Sequence, residues 1–145
     1  MPSLNLKLRP TLLTMKPGTR IVSHAFDMED WKPDDTSKLD GRTAYLWIVP
    51  ANVQGRWHFM SGTPGFEQSV EIDITQIYQR IEGEAIFGPL RASLRNASLT
   101  GDSLTFTVLD PAGQLHNFVG RVEGKTISGI VRGPKGLQRW RAERK

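Results

Sequence analysis

The residues whose types could do chemistry are few, and the densest group lies in "SHAFDMED", residues 23 to 30. A histidine followed by carboxylates can take up, hand on or orient a proton near neutral pH. His24, Asp27 and Asp30 therefore form the first candidate set, placed where a run reading as a strand gives way to a loop. Open α/β sheets bind their ligands outside the carboxyl ends of strands, so the position suits a site. The plainer reading of the same residues is a solvated acidic loop. His58 and His116 lie far from His24 in sequence, beside no paired carboxylate at ligand spacing, so no metal centre is expected. The absence of cysteine removes disulfides, thiolate ligands and thiolate nucleophiles. The chain also lacks G-x-S-x-G, G-x-x-x-x-G-K-[ST] and G-x-G-x-x-G, so hydrolase and nucleotide-hydrolysing chemistry has no anchor.

The elements that must hold these residues change character near residue 42. Before it, "RPTLLTMKPG" reads as a short helix over Pro10 to Met15, with Pro10 at a first helical position and Pro17-Gly18 ending it. "TRIVSHAF" reads as a strand. "FDMEDWKPDDTSKLDG" has neither helical nor strand period and reads as a long loop, the kind that more often carries function than not.

After residue 42 the pattern is β throughout. "RTAYLWIVP" is apolar on both faces, which suggests a strand covered on both sides. Alternating runs follow in "GRWHFM", "QSVEIDITQ", "IYQRIEGEAIF", "LRASLRNASLTG", "SLTFTVLD", "QLHNFVGRVEG", "KTISGIVRG" and "LQRWRAER". Gly101-Asp102 and Gly124-Lys125 stand at equivalent places between strands, where glycine supplies the positive φ of a tight hairpin. Hairpins with one apolar face must curl or close to cover it. The fold class expected is mainly β: an antiparallel up-and-down meander or small β-barrel of about eight strands over residues 42–145. Residues 1–41 form a separate helix, strand and acidic loop before it. The inner face should hold Trp57, Phe59, Val70, Ile72, Ile74, Leu104, Phe106, Val108, Ile127 and Trp140.

Length and charge set bounds. With 145 residues, 38% of them apolar, the chain can bury a real core and is short for two domains of ordinary size. No leader-like apolar stretch opens it and no window approaches the roughly 20 apolar residues of a membrane-spanning helix. A cytoplasmic protein that does not engage a membrane is expected. The net charge of +4 is concentrated at one end: residues 132 to 145 carry six basic side chains and one acid. In "LQRWRAERK", however, Gln138, Trp140 and Ala142 share one strand face and Arg139, Arg141 and Glu143 the other, which describes a half-buried strand with a solvated outer wall. Nucleic acid is accordingly not expected as the partner. An interaction or nucleic-acid module resting on this basic tail would show salt-sensitive binding to RNA or DNA that weakens when Arg139, Arg141 and Arg144 are neutralised.

The ordered residues Pro17, Gly18, Arg20, Ser23, His24, Asp27, Trp31 and Pro33, followed by "YLWIVPA", carry a resemblance. Residues 2 to 51 resemble the late part of bacterial Rossmann-type S-adenosylmethionine-dependent methyltransferases, in which a P-G-x-R-[IV]-V-S-H strand precedes an acidic F-x-M-x-D-W-x-P-D loop on the substrate side. The remainder resembles a β-rich C-terminal extension ending in W-x-A-x-R, here Trp140, Ala142 and Arg144. The resemblance implies a transferase in which His24 and Asp27 orient the nucleophile or accept its proton, while Trp31 walls the pocket against water. It also implies that the acidic glycine-rich turn and ribose-binding acid lie in a portion preceding this segment. This chain alone should then hold no S-adenosylmethionine and be inactive, a truncated or remnant enzyme. Its partner would be the missing N-terminal portion or a second copy of the chain. The reading from another class is a free-standing barrel that binds an apolar ligand among Trp57, Phe59, Phe106 and Trp140, or a partner macromolecule.

Overall fold

The computed structural model describes residues 2–24, 28–59, 70–134 and 136–145, and it divides into two compact units, residues 1–51 and 52–145. The first contains α1 (Pro2–Leu13), β1 (Arg20–His24), β2 (Asp35–Leu39) and β3 (Arg42–Ile48). Among the described residues no helix is long and apolar enough to cross a membrane.

The helix starts earlier than its sequence suggested. Pro2, not Pro10, takes the first position, where a missing N–H costs nothing, and Pro10 lies inside the helix. Amides of Thr14 and Met15 donate to the carbonyls of Thr11 and Leu12 (both 3.1 Å), tightening the last turn. Gly18, at φ 92°, then turns the chain into β1.

Three antiparallel strands follow in the order β1-β3-β2. Two expectations change here. The acidic loop is not wholly irregular, because Asp35–Leu39 pairs with β3 from Asp35↔Leu46 to Leu39↔Arg42. Asp40 and Gly41 make the turn with φ 52° and 74°, the two positive values a type I′ hairpin requires. The strand "RTAYLWI" also does not open the barrel: it lies between β1 and β2 in the first unit.

The second unit is one antiparallel sheet of nine strands. These are β4 (Gly55–Phe59), β5 (Val70–Ile77), β6 (Arg80–Phe87), β7 (Leu90–Ser93), β8 (Arg95–Thr100), β9 (Ser103–Leu109), β10 (Leu115–Glu123), β11 (Thr126–Gly133) and β12 (Gly136–Arg144). Their order, β7-β6-β5-β4-β12-β11-β10-β9-β8, is up-and-down except at β4–β12, where the two arms of the meander join. The other ends approach as well, since the Leu94 amide between β7 and β8 donates to Gly83 on β6 (2.9 Å). The result is a nearly closed, barrel-like sheet. All ten residues expected on the inner face are buried, as alternation with period two dictates. Gly101 and Gly124 have φ near +60° (59° and 61°) at the first turn position, which type II′ hairpins need.

A cluster of aromatic side chains packs in the interior. Phe118 stacks on Phe59 (5.3 Å between centroids) and on Phe106 (4.9 Å), and Trp140 meets all three rings edge-on at 5.1 to 5.9 Å. These arrangements suit the aromatic quadrupole. Trp57 donates its indole N–H to Val53 (3.0 Å) and takes the Arg144 guanidinium on its face at 4.4 Å. Aromatic residues considered above as a ligand lining therefore pack as core. The W-x-A-x-R ending is also explained: Trp140 caps the cluster, Ala142 is fully buried opposite Phe59, and Arg144 donates to the carbonyls of Gln54 and Asn52. Arg144 thus fastens the start of the unit to its last strand and is not a free member of a basic tail.

One buried polar pair closes an end of the barrel. His116, 2% exposed, donates from Nε2 to Asp110 Oδ2 at 2.7 Å, while Asp110 Oδ1 accepts the Gln114 amide at 2.8 Å. Burial pushes the Asp110 carboxyl up, but the bond from His116 and the amides of Gln114 and Ala112 outweigh it and hold the carboxyl below its usual value of 3.8. A depressed carboxylate adds stability that is present above the unfolded value and lost as the pH falls through the lowered one. Asp110→Asn should therefore cost about 1–3 kcal/mol at pH 7. Its deficit in thermal midpoint should shrink as the pH falls below about 4. A deficit independent of pH would show that the charge contributes nothing.

Candidate functional site

The candidate residues belong to the small sheet. His24 is the last residue of β1, opposite Ala44, and is exposed; its imidazole makes no hydrogen bond or ion pair among the described residues. An imidazole so placed is available to an external group. Asp27 lies outside the described residues. Trp31 is fully buried, forms an isolated bridge with Met28, and accepts the Trp47 indole N–H on its carbonyl at 2.8 Å. Its ring is 6.2 Å from that of Trp47. No hydrogen bond or ring contact joins His24 to Trp31. Among the described residues, no group of three or more His, Asp or Glu side chains is placed to hold a metal ion.

What secures this region is a set of backbone links that residue types alone did not reveal. Arg9 of α1 donates to the Met28 carbonyl at 3.1 Å. Asp34 donates its amide to Leu46 (2.7 Å), and its Oδ1 accepts the Ile48 amide (2.7 Å). A single residue thus fixes the path from the acidic loop to the central strand. Burial raises the Asp34 carboxyl above its usual value, outweighing the bonds from the Ile48 amide and its own. A raised carboxyl favours the folded state most below the unfolded pKa and loses that advantage as the pH rises through the folded value. Asp34→Asn keeps the acceptor and removes the charge, so its thermal midpoint at pH 7 should equal or exceed that of the parent, and the gain should vanish at about pH 3. A clear loss at pH 7 would show that the charge itself is needed.

The two edges of the small sheet differ. β2 at one edge reads "DTSKL", short, polar and carrying a lysine, the usual protection of a free edge. β1 at the other reads "RIVSH", without an inward charge, bulge or proline. Val22 is 60% exposed on the face it shares with Leu46 and Ile48, whereas the opposite face carries the buried Trp47. Val22 is therefore incompletely covered among the described residues, on a strand that ends the described three-stranded sheet.

Comparison with known proteins adds one relation. Over 54 residues, 34% of the chain, the sequence is 35% identical to a protein-lysine N-methyltransferase of Saccharolobus islandicus (strain REY15A). The chain spans about a third of that protein's length, 34% of it. The match points to a methyltransferase relation. No protein-family signature matches the chain, and no solved structure matches it.

Proposed function

We propose that this chain is the C-terminal part of an S-adenosylmethionine-dependent methyltransferase, in which the last strands of the catalytic sheet are followed in sequence by a barrel-like β unit. The open edge of β1 carries this reading. β1 pairs with β3 alone among the described strands and exposes Val22, with no proline or bulge to block its outer edge, which suits it to receive another strand. In a doubly wound sheet that neighbour would be parallel, and the Val22 face would be covered by a helix. The partial identity to a protein-lysine N-methyltransferase supports the same assignment.

In this reading the cofactor is held elsewhere. Binding S-adenosylmethionine requires a glycine-rich turn at a helix N-terminus, and the described residues supply none. His24, with Asp27 beyond it, would face the acceptor and orient its nucleophile or take its proton, while the methyl group moves by in-line displacement from sulfur. Lysine in a protein substrate is the acceptor class favoured by the relative. Trp31 supports the loop from beneath through Trp47.

The test is reconstitution. Polypeptides encoded next to this chain that contain a strand, an acidic glycine-rich turn and a helix are co-expressed with the tagged chain. A stoichiometric complex should form in which β1 amides gain protection from hydrogen exchange and S-adenosylmethionine binds saturably. Micromolar binding of S-adenosylmethionine to the isolated chain, or a complex that leaves β1 exchange unchanged, would overturn the assignment.

A further inference from the structure

The outer wall of β10, β11 and β12 is unlike an ordinary solvated sheet face. Val119 and Ile130 lie opposite each other in register and are 53% and 51% exposed, although each belongs to a strand whose other face is core. In the same cross-strand row Ile130 is followed by Arg139, and in the next row Arg132 faces Leu137, itself 61% exposed. Arg139 and Arg132 make no ion pair among the described residues. Their neighbours do: Arg141 lies 3.5 Å from Glu143, and Arg121 lies 2.8 Å from Asp102. The wall thus presents an apolar centre beside two uncompensated guanidinium groups.

Both features oppose folding stability on their own. Like charges on adjacent strand positions repel, and exposed branched side chains gain nothing from water. Together they define a partner. Unpaired arginines call for carboxylates or phosphates, which the planar guanidinium engages in pairs. The Val119–Ile130–Leu137 surface calls for apolar side chains at the same spacing. It offers no aromatic ring on which a base could stack, the usual means of holding a single-stranded polynucleotide.

We propose that this wall is a docking surface for an acidic protein segment bearing apolar side chains, its carboxylates on Arg132 and Arg139 and its apolar residues on Val119 and Ile130. The surface is independent of β1 and of methyl transfer.

The full chain is titrated into a fluorescein-labelled twelve-residue peptide of glutamate and aspartate interrupted by three leucines, and anisotropy is followed. Two control probes accompany it: the same peptide with serine for leucine, and a labelled twelve-nucleotide oligouridylate. The leucine peptide should bind saturably, and more tightly than either control. The pair Arg132→Glu with Arg139→Glu should weaken binding at least about tenfold, and Val119→Ser with Ile130→Ser about fivefold. Arg80→Glu, on β6 away from the wall, should leave binding unchanged. Unaltered thermal midpoints certify folding; if the charge reversals lower them, glutamine replaces glutamate at both positions. The proposal falls if the peptide does not bind, if the serine peptide binds equally, if oligouridylate binds more tightly, or if neither pair of substitutions changes the affinity.

Discussion

Replacing Gly129 by alanine is expected to disrupt the barrel more than any other single-methyl change. Gly129 and Gly120 face each other across β11 and β10, and Trp140 is the next residue in the row. The two glycines leave the space in which the indole lies, donating to the Val119 carbonyl at 3.1 Å. A Cβ on Gly129 would stand 2.0 Å from that carbonyl oxygen and 2.7 Å from the Gly120 Cα, both backbone atoms. Strands β10 and β11 would have to separate. Overpacking of a dense core costs about 1–3 kcal/mol and sometimes more, and backbone displacement belongs to the upper end. For a unit of this size each kcal/mol lowers the thermal midpoint by roughly 4–8 °C, so a fall of at least about 12 °C is expected.

Gly120→Ala provides the contrast. Its Cβ would meet side chains, Trp140 Cζ2 at 2.6 Å and Ile127 Cγ2 at 2.9 Å. Shortening Trp140 to leucine removes the first obstacle, so the loss from Gly120→Ala should be smaller in the Trp140→Leu background than in the parent. The loss from Gly129→Ala should persist there, because its obstacle is backbone. Coupling of this kind between touching residues reaches about 0.5–3 kcal/mol. Thermal unfolding of the three single and two double variants measures it; equal losses from Gly120→Ala in both backgrounds would mean that the glycine is not there to admit the indole.

The second large effect concerns where the chain can be cut. A polypeptide beginning at Asn52 keeps every pairing of the nine-stranded sheet, the Arg144 links to Asn52 and Gln54, and the Val53 amide bond to Gln76 Oε1 (2.7 Å). It should unfold in one cooperative transition with a β spectrum. A polypeptide beginning at Arg42 retains β3 without β1 or β2, leaving "RTAYLWI" with both edges open and Trp47 stripped of Trp31. That fragment should associate, since an exposed apolar strand invites pairing between copies. Size-exclusion chromatography and thermal unfolding of the two fragments separate the outcomes. A monomeric, equally stable fragment from Arg42 would show that β3 draws its support from the barrel.

What the sequence determined about this protein is what local physics controls. Alternation of apolar and polar residues placed ten side chains on the barrel interior, since successive residues of a strand point to opposite faces. Glycine at the turns marked the hairpins at Gly101 and Gly124 because only positive φ closes them. Asp40-Gly41 carried the same signal between "DTSKL" and "RTAYL", and it outweighs the missing period of a polar edge strand. Tertiary structure alone decided which strands are neighbours. Nothing within "GRWHF" or "LQRWRAER" announces that β4 and β12 pair, and nothing within "RTAYLWI" announces that its partners precede the barrel, because hydrogen bonds between distant strands leave no local period. The roles of Gly120, Gly129 and Arg144 are non-local too: each is set by an aromatic ring or backbone brought close by the closing sheet. His24 and Trp31 are only seven positions apart, yet one ends an edge strand and the other is drawn into the packing beside Trp47, with no hydrogen bond or ring contact between them. Residue type can nominate such a pair, but only the fold decides whether they meet.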